Sequence, residues 1–172
     1  RRDKCFKNNL KRVVSGEHCF FGARGDSPSI DFVLWGDSHA DAVMPAFDEI
    51  AKKYGLHGAL FAVGGCPPLL TSTVITEDDG CSMLKEQALQ YIKTHQVGVV
   101  FFASEWEDAY PSYSEHISVP FKTALTDTLN KLPKDQQVVI MKKVPNQKYY
   151  NVRETFYLAS KATVDLSSLE LP

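Results

Sequence analysis

The sequence predicts an α/β fold in which helices cover both faces of a parallel β-sheet, giving a three-layer sandwich. Two observations predict it. Short apolar runs alternate with longer segments of helical periodicity, and turn-forming residues separate them. The 172 residues, 44% hydrophobic and 23% charged, suffice for one globular core. A net charge of -2 argues against a nucleic-acid-binding surface.

The first half of the domain holds two predicted strands and one helix. The apolar run IDFVLWGD predicts a buried strand at 30–37. A helix is predicted at 40–55, because Gly55 is a typical C-terminal cap and apolar residues recur on one face: Ala42, Val43, Ala46, Phe47 and Ile50. The run GALFAV predicts the second strand at 58–63, and turn formers predict a long loop at 64–80.

The second half repeats the alternation. A helix at 81–95 precedes VGVVFFAS at 97–104, which has no polar side and is therefore predicted to be a central strand. A loop, a helix at 119–132, a strand at 136–144 and a helix at 151–162 follow. Short strand–helix units predict right-handed crossovers and a flavodoxin-like strand order.

The chain divides into a loop-rich lead-in at 1–29 and the α/β domain at 30–172. Its four cysteines, Cys5, Cys19, Cys66 and Cys81, allow three pairings. The local pairing, Cys5–Cys19 with Cys66–Cys81, closes two loops of similar length. No CxxC spacing is present and no histidine lies at zinc spacing, so disulfides in an oxidising compartment are favoured over free cytosolic thiols. We expect no metal and no cofactor.

The segment Gly36-Asp37-Ser38 follows the first strand, at the sheet edge where α/β proteins bind ligands. Ser38 is expected where the helix begins, near backbone N–H groups that can stabilise an oxyanion. The alternative is ordinary helix capping by Asp37 and Ser38. Long loops at the same edge, carrying Gly64-Gly65 and Ser104-Glu105-Trp106, favour a functional site.

The motifs LWGDSHA, GGCPPL, FFASEW and VVIMKKVP occur in this order between about Cys5 and Asp165. In them the sequence resembles the SGNH domain attached to multi-pass membrane acyltransferases. The resemblance implies an SGNH fold and O-acylation of a bacterial surface polysaccharide, such as the O-antigen of lipopolysaccharide. It also implies a periplasmic domain that is tethered to the inner membrane through the membrane acyltransferase partner.

The resemblance assigns roles to individual residues. Ser38 would be the nucleophile and form an acyl-serine intermediate, with Asp37 and His39 supporting it. The backbone N–H groups of Ser38 and of Gly64 or Gly65 would form the oxyanion hole. SGNH proteins usually add an asparagine after the third strand, but this chain has Ser104-Glu105-Trp106 there, so the source of a third donor stays open. Glu105 and Trp106 are candidate substrate-binding residues, whereas Trp35 is expected in the core.

The catalytic base is the main departure from the SGNH pattern. The resemblance implies an Asp-x-x-His motif near the C-terminus. Three positions after Asp165 this chain has Ser168 instead of histidine, and no histidine comes after His116. We therefore expect the last C-terminal elements to lie outside this chain, and the chain alone to be nearly inactive. His116 is an alternative base, while His18, His57 and His95 are interpreted as structural. Two other functions remain open: a carbohydrate esterase and a non-catalytic polysaccharide-binding module.

Overall fold

The computed structural model describes residues 15, 18–23, 30–70, 80–106 and 121–142. Within these ranges lie five strands, β1 Cys19–Gly22, β2 Ile30–Gly36, β3 His57–Ala62, β4 Val97–Ala103 and β5 Gln137–Ile140. Three helices accompany them: α1 Ser38–Tyr54, α2 Gly80–Thr94 and α3 Phe121–Lys131. The helix predicted at 151–162 lies outside the described residues.

The strands form one sheet in the order β1-β3-β2-β4-β5. Strands β2 to β5 run parallel, and β2 lies between β3 and β4. The chain therefore moves from β2 to one side, then returns across β2 and continues on the other side. This order of the parallel strands is the flavodoxin-like order that the sequence predicts, and β4 is an inner strand as expected.

Strand β1 corrects the description of residues 1–29 as a loop-rich lead-in. It pairs antiparallel with β3, Cys19 opposite Leu60, so the sheet is mixed rather than purely parallel. The run CFFG is too short for its periodicity to distinguish a strand from a loop. Its position depends instead on a distant contact, because the N–H of Gly22 donates to the buried Asp48 carboxylate at 2.8 Å.

The two sheet faces carry separate hydrophobic clusters. Helix α1 covers one face, where Met44 packs with Leu34 and Leu60. Helices α2 and α3 cover the other, where Leu84 belongs to the cluster of Trp35 and Phe102, and Leu125 packs against it. The helices change faces where the chain changes direction along the sheet, as right-handed crossovers require. The three layers are therefore confirmed.

None of the helices in the described residues combines the length and the apolar composition needed to span a bilayer.

The buried face of α1 differs from the predicted one. Its buried residues are Ala40, Asp41, Met44, Asp48 and Ala51, whereas Ile50 is 56% exposed. Asp48 accounts for part of this difference. It lies on the buried face because its carboxylate accepts hydrogen bonds from the β1 backbone and from the Lys52 Nζ, the latter at 2.6 Å. A buried carboxylate with such partners replaces an apolar residue, which a hydrophobic pattern does not reveal.

Gly36 ends β2, where the backbone of β4 approaches closely. A Cβ atom placed on this glycine would overlap the carbonyl oxygen of Ala103 on β4. Gly36 does not have a positive φ, so close packing rather than backbone conformation requires a glycine here.

We predict that Gly36→Ala lowers the free energy of unfolding by about 3 kcal/mol, because β2 and β4 must separate to admit the methyl group. Chemical denaturation of both proteins measures the change. Gly55→Ala is the control: Gly55 has φ 71° but no atom within 4 Å of a Cβ, so only the left-handed backbone is penalised, by about 1 kcal/mol. Equal effects of the two substitutions would contradict the packing argument.

His18 precedes β1 and lies in an aromatic cluster on α2. Its ring centroid is 4.6 Å from that of Tyr91, and His95 stacks on the same tyrosine at 4.0 Å. Burial, and then the charge of His95, lower the pKa of His18 from its ordinary value. The structure thus gives His18 and His95 packing positions, in agreement with the structural interpretation.

This lowered pKa predicts a pH dependence of stability. The unfolded chain protonates His18 at a higher pH than the folded chain does, so stability is retained above the ordinary histidine pKa of about 6.5 and falls as the pH drops below it. We predict that His18→Gln makes the stability curve flatter between about pH 6.5 and 5. Denaturation midpoints across this range provide the measurement. Unchanged slopes would show that His18 titrates alike in both states.

Candidate active site

Three parallel strands end side by side at the carboxyl edge of the sheet. Gly36 of β2 is in register with Ala62 of β3 and with Ala103 of β4. The segments that follow continue the pairing: Val63 N–H donates to the Gly36 carbonyl, and Asp37 N–H donates to the Ala103 carbonyl, both at 3.4 Å. Since β3 and β4 flank β2 on opposite sides, this is the switch point at which such sheets bind ligands.

Ser38 is the first residue of α1 and is exposed at this edge. Its backbone N–H belongs to the first helical turn and has no carbonyl one turn earlier to accept from it. The positive end of the helix dipole also favours negative charge there. The structure thus places Ser38 at the predicted edge of the sheet, exposed at the start of α1.

Asp37 is the N-cap of α1 and the centre of a hydrogen-bond network. It is 3% exposed. Its Oδ1 accepts from the His39 N–H at 2.8 Å and lies 3.2 Å from the His39 Nδ1. Its Oδ2 accepts from the Ser104 Oγ at 2.6 Å and from the Glu105 N–H at 2.9 Å. The Asp37 carboxylate therefore joins the turn after β2 to the segment after β4.

His39 lies between two carboxylates. Besides the contact of its Nδ1 with Asp37, its Nε2 is 3.0 Å from the Glu105 Oε2. Both ring nitrogens therefore have acidic partners. The support role expected for His39 stays a prediction, and its contact with Glu105 is a finding of the structure.

The segment after β4 uses its polar hydrogens internally. The Ser104 hydroxyl and the Glu105 N–H donate to Asp37, and the Trp106 Nε1 donates to the Met141 carbonyl at 2.7 Å. These three groups are therefore engaged elsewhere than at a substrate oxygen. The hydrogen bond from Ser104 to Asp37 was missed by the sequence analysis, and its only signal was a polar residue at the end of a buried inner strand.

The glycines after β3 form a tight turn beside this edge. The Cys66 N–H donates to the Val63 carbonyl at 3.0 Å, and Gly65 has φ 70°, as in a type II turn. A disulfide between Cys66 and Cys81 connects this turn to the first residues of α2. The predicted pairing of these cysteines is confirmed, and it anchors the Gly64-Gly65 turn that is the candidate second oxyanion donor.

The remaining predicted residues are distributed as follows. Trp35 is fully buried and packs edge-on against Phe102, as expected of a core residue. Trp106 is half-buried against α3, with its ring 5.7 Å from that of Phe121. Cys19 is disulfide-bonded, but Cys5, its predicted partner, lies outside the described residues, as does His116. In the ranges that the structure describes, no three His, Cys, Asp or Glu side chains are grouped to hold a metal ion.

Comparison with known families identifies the domain. Residues 4–171 match the family described as "SGNH domain (fused to AT3 domains)". The chain belongs to this SGNH domain family. The resemblance seen in the sequence motifs is thereby confirmed, and the fold agrees with the α/β architecture that it implied.

A solved structure shares the fold of this SGNH domain. It is titled "Structure of Salmonella ser. Paratyphi A lipopolysaccharide acetyltransferase periplasmic domain", with a TM-score of 0.61 and 16% sequence identity. The alignment covers 91% of this chain and 65% of that one, so the SGNH domain described here spans about two thirds of its neighbour's length. At this identity the likeness establishes a common fold. Comparison with curated proteins gives no significant match.

We predict that the double substitution Cys66→Ala with Cys81→Ala lowers stability by about 3 kcal/mol, because the open chain regains the entropy of a loop of this length. Thermal unfolding without reductant isolates this bond from the one at Cys19. Ser82→Ala, at an exposed position on α2, serves as the control and should leave the midpoint unchanged. A double variant as stable as the parent would mean that the disulfide adds no stability.

Proposed function

We propose that this SGNH domain is a serine-dependent O-acyltransferase that passes an acyl group, in particular acetyl, to a hydroxyl of a bacterial surface polysaccharide. The observation that carries the proposal is the exposed Ser38 at the first position of α1, directly after the hydrogen-bonded Asp37 at the switch point. The fusion of its family to AT3 domains and the lipopolysaccharide acetyltransferase that shares its fold support the same activity.

The reaction has two halves. The Ser38 Oγ attacks the carbonyl carbon of an acyl donor, its proton passes to a general base, and the donor leaves with that proton as an alcohol or thiol. A sugar hydroxyl then attacks the acyl-serine carbonyl. Its proton passes to the base and returns to the Ser38 oxygen as the ester bond breaks, so the enzyme is regenerated and the sugar carries the acyl group.

Two backbone donors are suited to the oxyanion that forms in each half. The Ser38 N–H is at the start of α1, where the helix dipole favours negative charge. The turn of Gly64 and Gly65 leaves β3 at the same sheet edge, beside the strand that carries Ser38. Since the three polar groups after β4 are engaged elsewhere, we propose an oxyanion hole built from these two backbone segments.

The general base is not supplied by the histidines of the described residues. His39 has a carboxylate at each ring nitrogen. His57 and His95 lie at the starts of β3 and β4, at the amino edge of the sheet, and His18 packs on Tyr91. We infer that the general base comes from outside the described residues. A protein that lacks this base is expected to acylate Ser38 slowly.

The membrane partner follows from the family. Because members of this family are fused to AT3 domains, we propose that an AT3 domain supplies the acyl group and tethers this domain at the periplasmic face of the inner membrane. Disulfides are consistent with that oxidising compartment. Glu105 and Trp106 lie beside the Ser38 turn, and we propose that they border the site for the polysaccharide.

We predict that Ser38→Ala, in the chain joined to its AT3 domain, lowers polysaccharide acylation by at least about 1000-fold, since the acyl-serine intermediate cannot form without the Ser38 hydroxyl. Acylation is measured by mass spectrometry of the polysaccharide, and the acyl-serine by peptide mapping after rapid quenching. The exposed Ser82→Ala is the matched control and should retain full activity.

Two other outcomes would assign a different function. Acylation that persists at the parental level in Ser38→Ala would indicate a non-catalytic polysaccharide-binding module. Release of acid from acylated polysaccharide, without acylation of a sugar hydroxyl by the donor, would indicate a carbohydrate esterase. Either result would contradict the transferase proposal.

A further inference from the structure

The His39 ring occupies a position with acceptors at both ends. Its Nδ1 lies 3.2 Å from the Asp37 Oδ1, and its Nε2 lies 3.0 Å from the Glu105 Oε2. The His39 side chain is 23% exposed and that of Glu105 is 19% exposed, so water screens these contacts only in part. Within the described ranges, these two carboxylates are the charged groups that contact the ring.

The chemistry of the groups limits how this arrangement can be satisfied. An ionised carboxylate only accepts hydrogen bonds, and a neutral imidazole carries one N–H. A neutral ring would therefore turn a nitrogen lone pair toward one of the two carboxylates. The imidazolium form donates from both nitrogens, and each bond is then strengthened by opposite charges.

The contacts close a cycle around the active-site turn. Asp37 accepts from the His39 backbone and from the Glu105 backbone, while the His39 ring reaches both carboxylates. Glu105 is thus held twice, by its main chain through Asp37 and by its side chain through His39. The adjoining Trp106 is fixed by its hydrogen bond to Met141. The side chain of His39 is consequently what connects the Ser38 turn to the side chain of Glu105.

We propose that His39 is a positioning residue that, as an imidazolium donating from both ring nitrogens, ties Glu105 to the Ser38 turn and fixes the rim of the acceptor site. The kinetic part of this inference rests on the proposed function, whereas the state of the ring does not. A ring with a single N–H would keep only one of the two bonds. A general base, by contrast, must present an unprotonated nitrogen to act.

The protonation of the ring is tested first, by 15N NMR of the histidine-labelled protein at neutral pH. Both His39 ring nitrogens should carry a hydrogen and show hydrogen-bonded N–H signals. A spectrum with one protonated and one bare nitrogen would overturn the proposal, because it would show a neutral ring. The contact at the bare nitrogen would then need a hydrogen from its neighbour, such as a protonated Glu105 carboxyl. This measurement is independent of whether Ser38 is acylated.

A second variant checks the role of the Glu105 charge. In Glu105→Gln the amide can donate to the His39 Nε2, so a neutral ring satisfies both neighbours, and we expect one bare nitrogen at the same pH. Glu86→Gln removes a carboxylate from an exposed position on α2 and should leave the His39 signals of the parent unchanged. A doubly protonated ring in Glu105→Gln would contradict the bridge.

The kinetic test uses His39→Gln in the chain joined to its AT3 domain. We expect kcat for polysaccharide acylation to fall about 10- to 100-fold through misplacement of the rim. We also expect KM for the polysaccharide to rise, because the rim of the acceptor site is misplaced, whereas a merely destabilising change would leave KM unchanged. Parental kcat with an unchanged KM would refute the positioning role. If Ser38→Ala is fully active, the proposed function fails, while the NMR result still decides the state of His39.

Discussion

The arrangement of the candidate active site depends on the hydrogen bonds of the buried Asp37 carboxylate. A carboxylate removed from water is tolerated only when hydrogen bonds replace its hydration, and Asp37 obtains them from both sides of the switch point. Its role as N-cap also explains why Ser38 is available. Since Asp37 caps α1, the Ser38 hydroxyl is not needed for that purpose and stands exposed one residue further on. Helix capping and an exposed serine at the ligand-binding edge, which the sequence presented as alternatives, thus occur in two adjacent residues.

The positions of the neighbouring segments are constrained by means other than hydrophobic packing. Gly36 permits β4 to approach so closely that Asp37 can reach Ser104 and Glu105. On the other side of β2, the disulfide at Cys66 holds the glycine turn that follows β3. Preorganised donors stabilise a transition state because they need no rearrangement during the reaction. In the proposed reaction, the glycine at position 36 and the Cys66–Cys81 disulfide would both help to hold such donors in place.

The sequence predicted the features that local pattern determines. Apolar runs located β2, β3 and β4, their alternation with helices determined the parallel order, and that order placed Ser38 at the ligand-binding edge. Features that depend on distant partners were not predictable. Strand β1 pairs with β3 and donates a hydrogen bond to Asp48, and the contact of Glu105 with Asp37 joins residues 68 positions apart. Lys85 is another example: it is only 3% exposed, and burial lowers its pKa to about 8, although lysine in a helical pattern normally indicates the solvent face.

The contacts of His39 distinguish a positioning residue from a general base, although its place next to Ser38 would be compatible with either role. A general base must present a lone pair to the nucleophile, accept its proton and later return it. The His39 ring has a carboxylate at each of its two nitrogens, Asp37 at Nδ1 and Glu105 at Nε2. Proximity in sequence therefore does not make His39 the base. The same turn carries the exposed Ser38 and the ring that contacts Glu105, so in the proposed reaction a different residue transfers the proton.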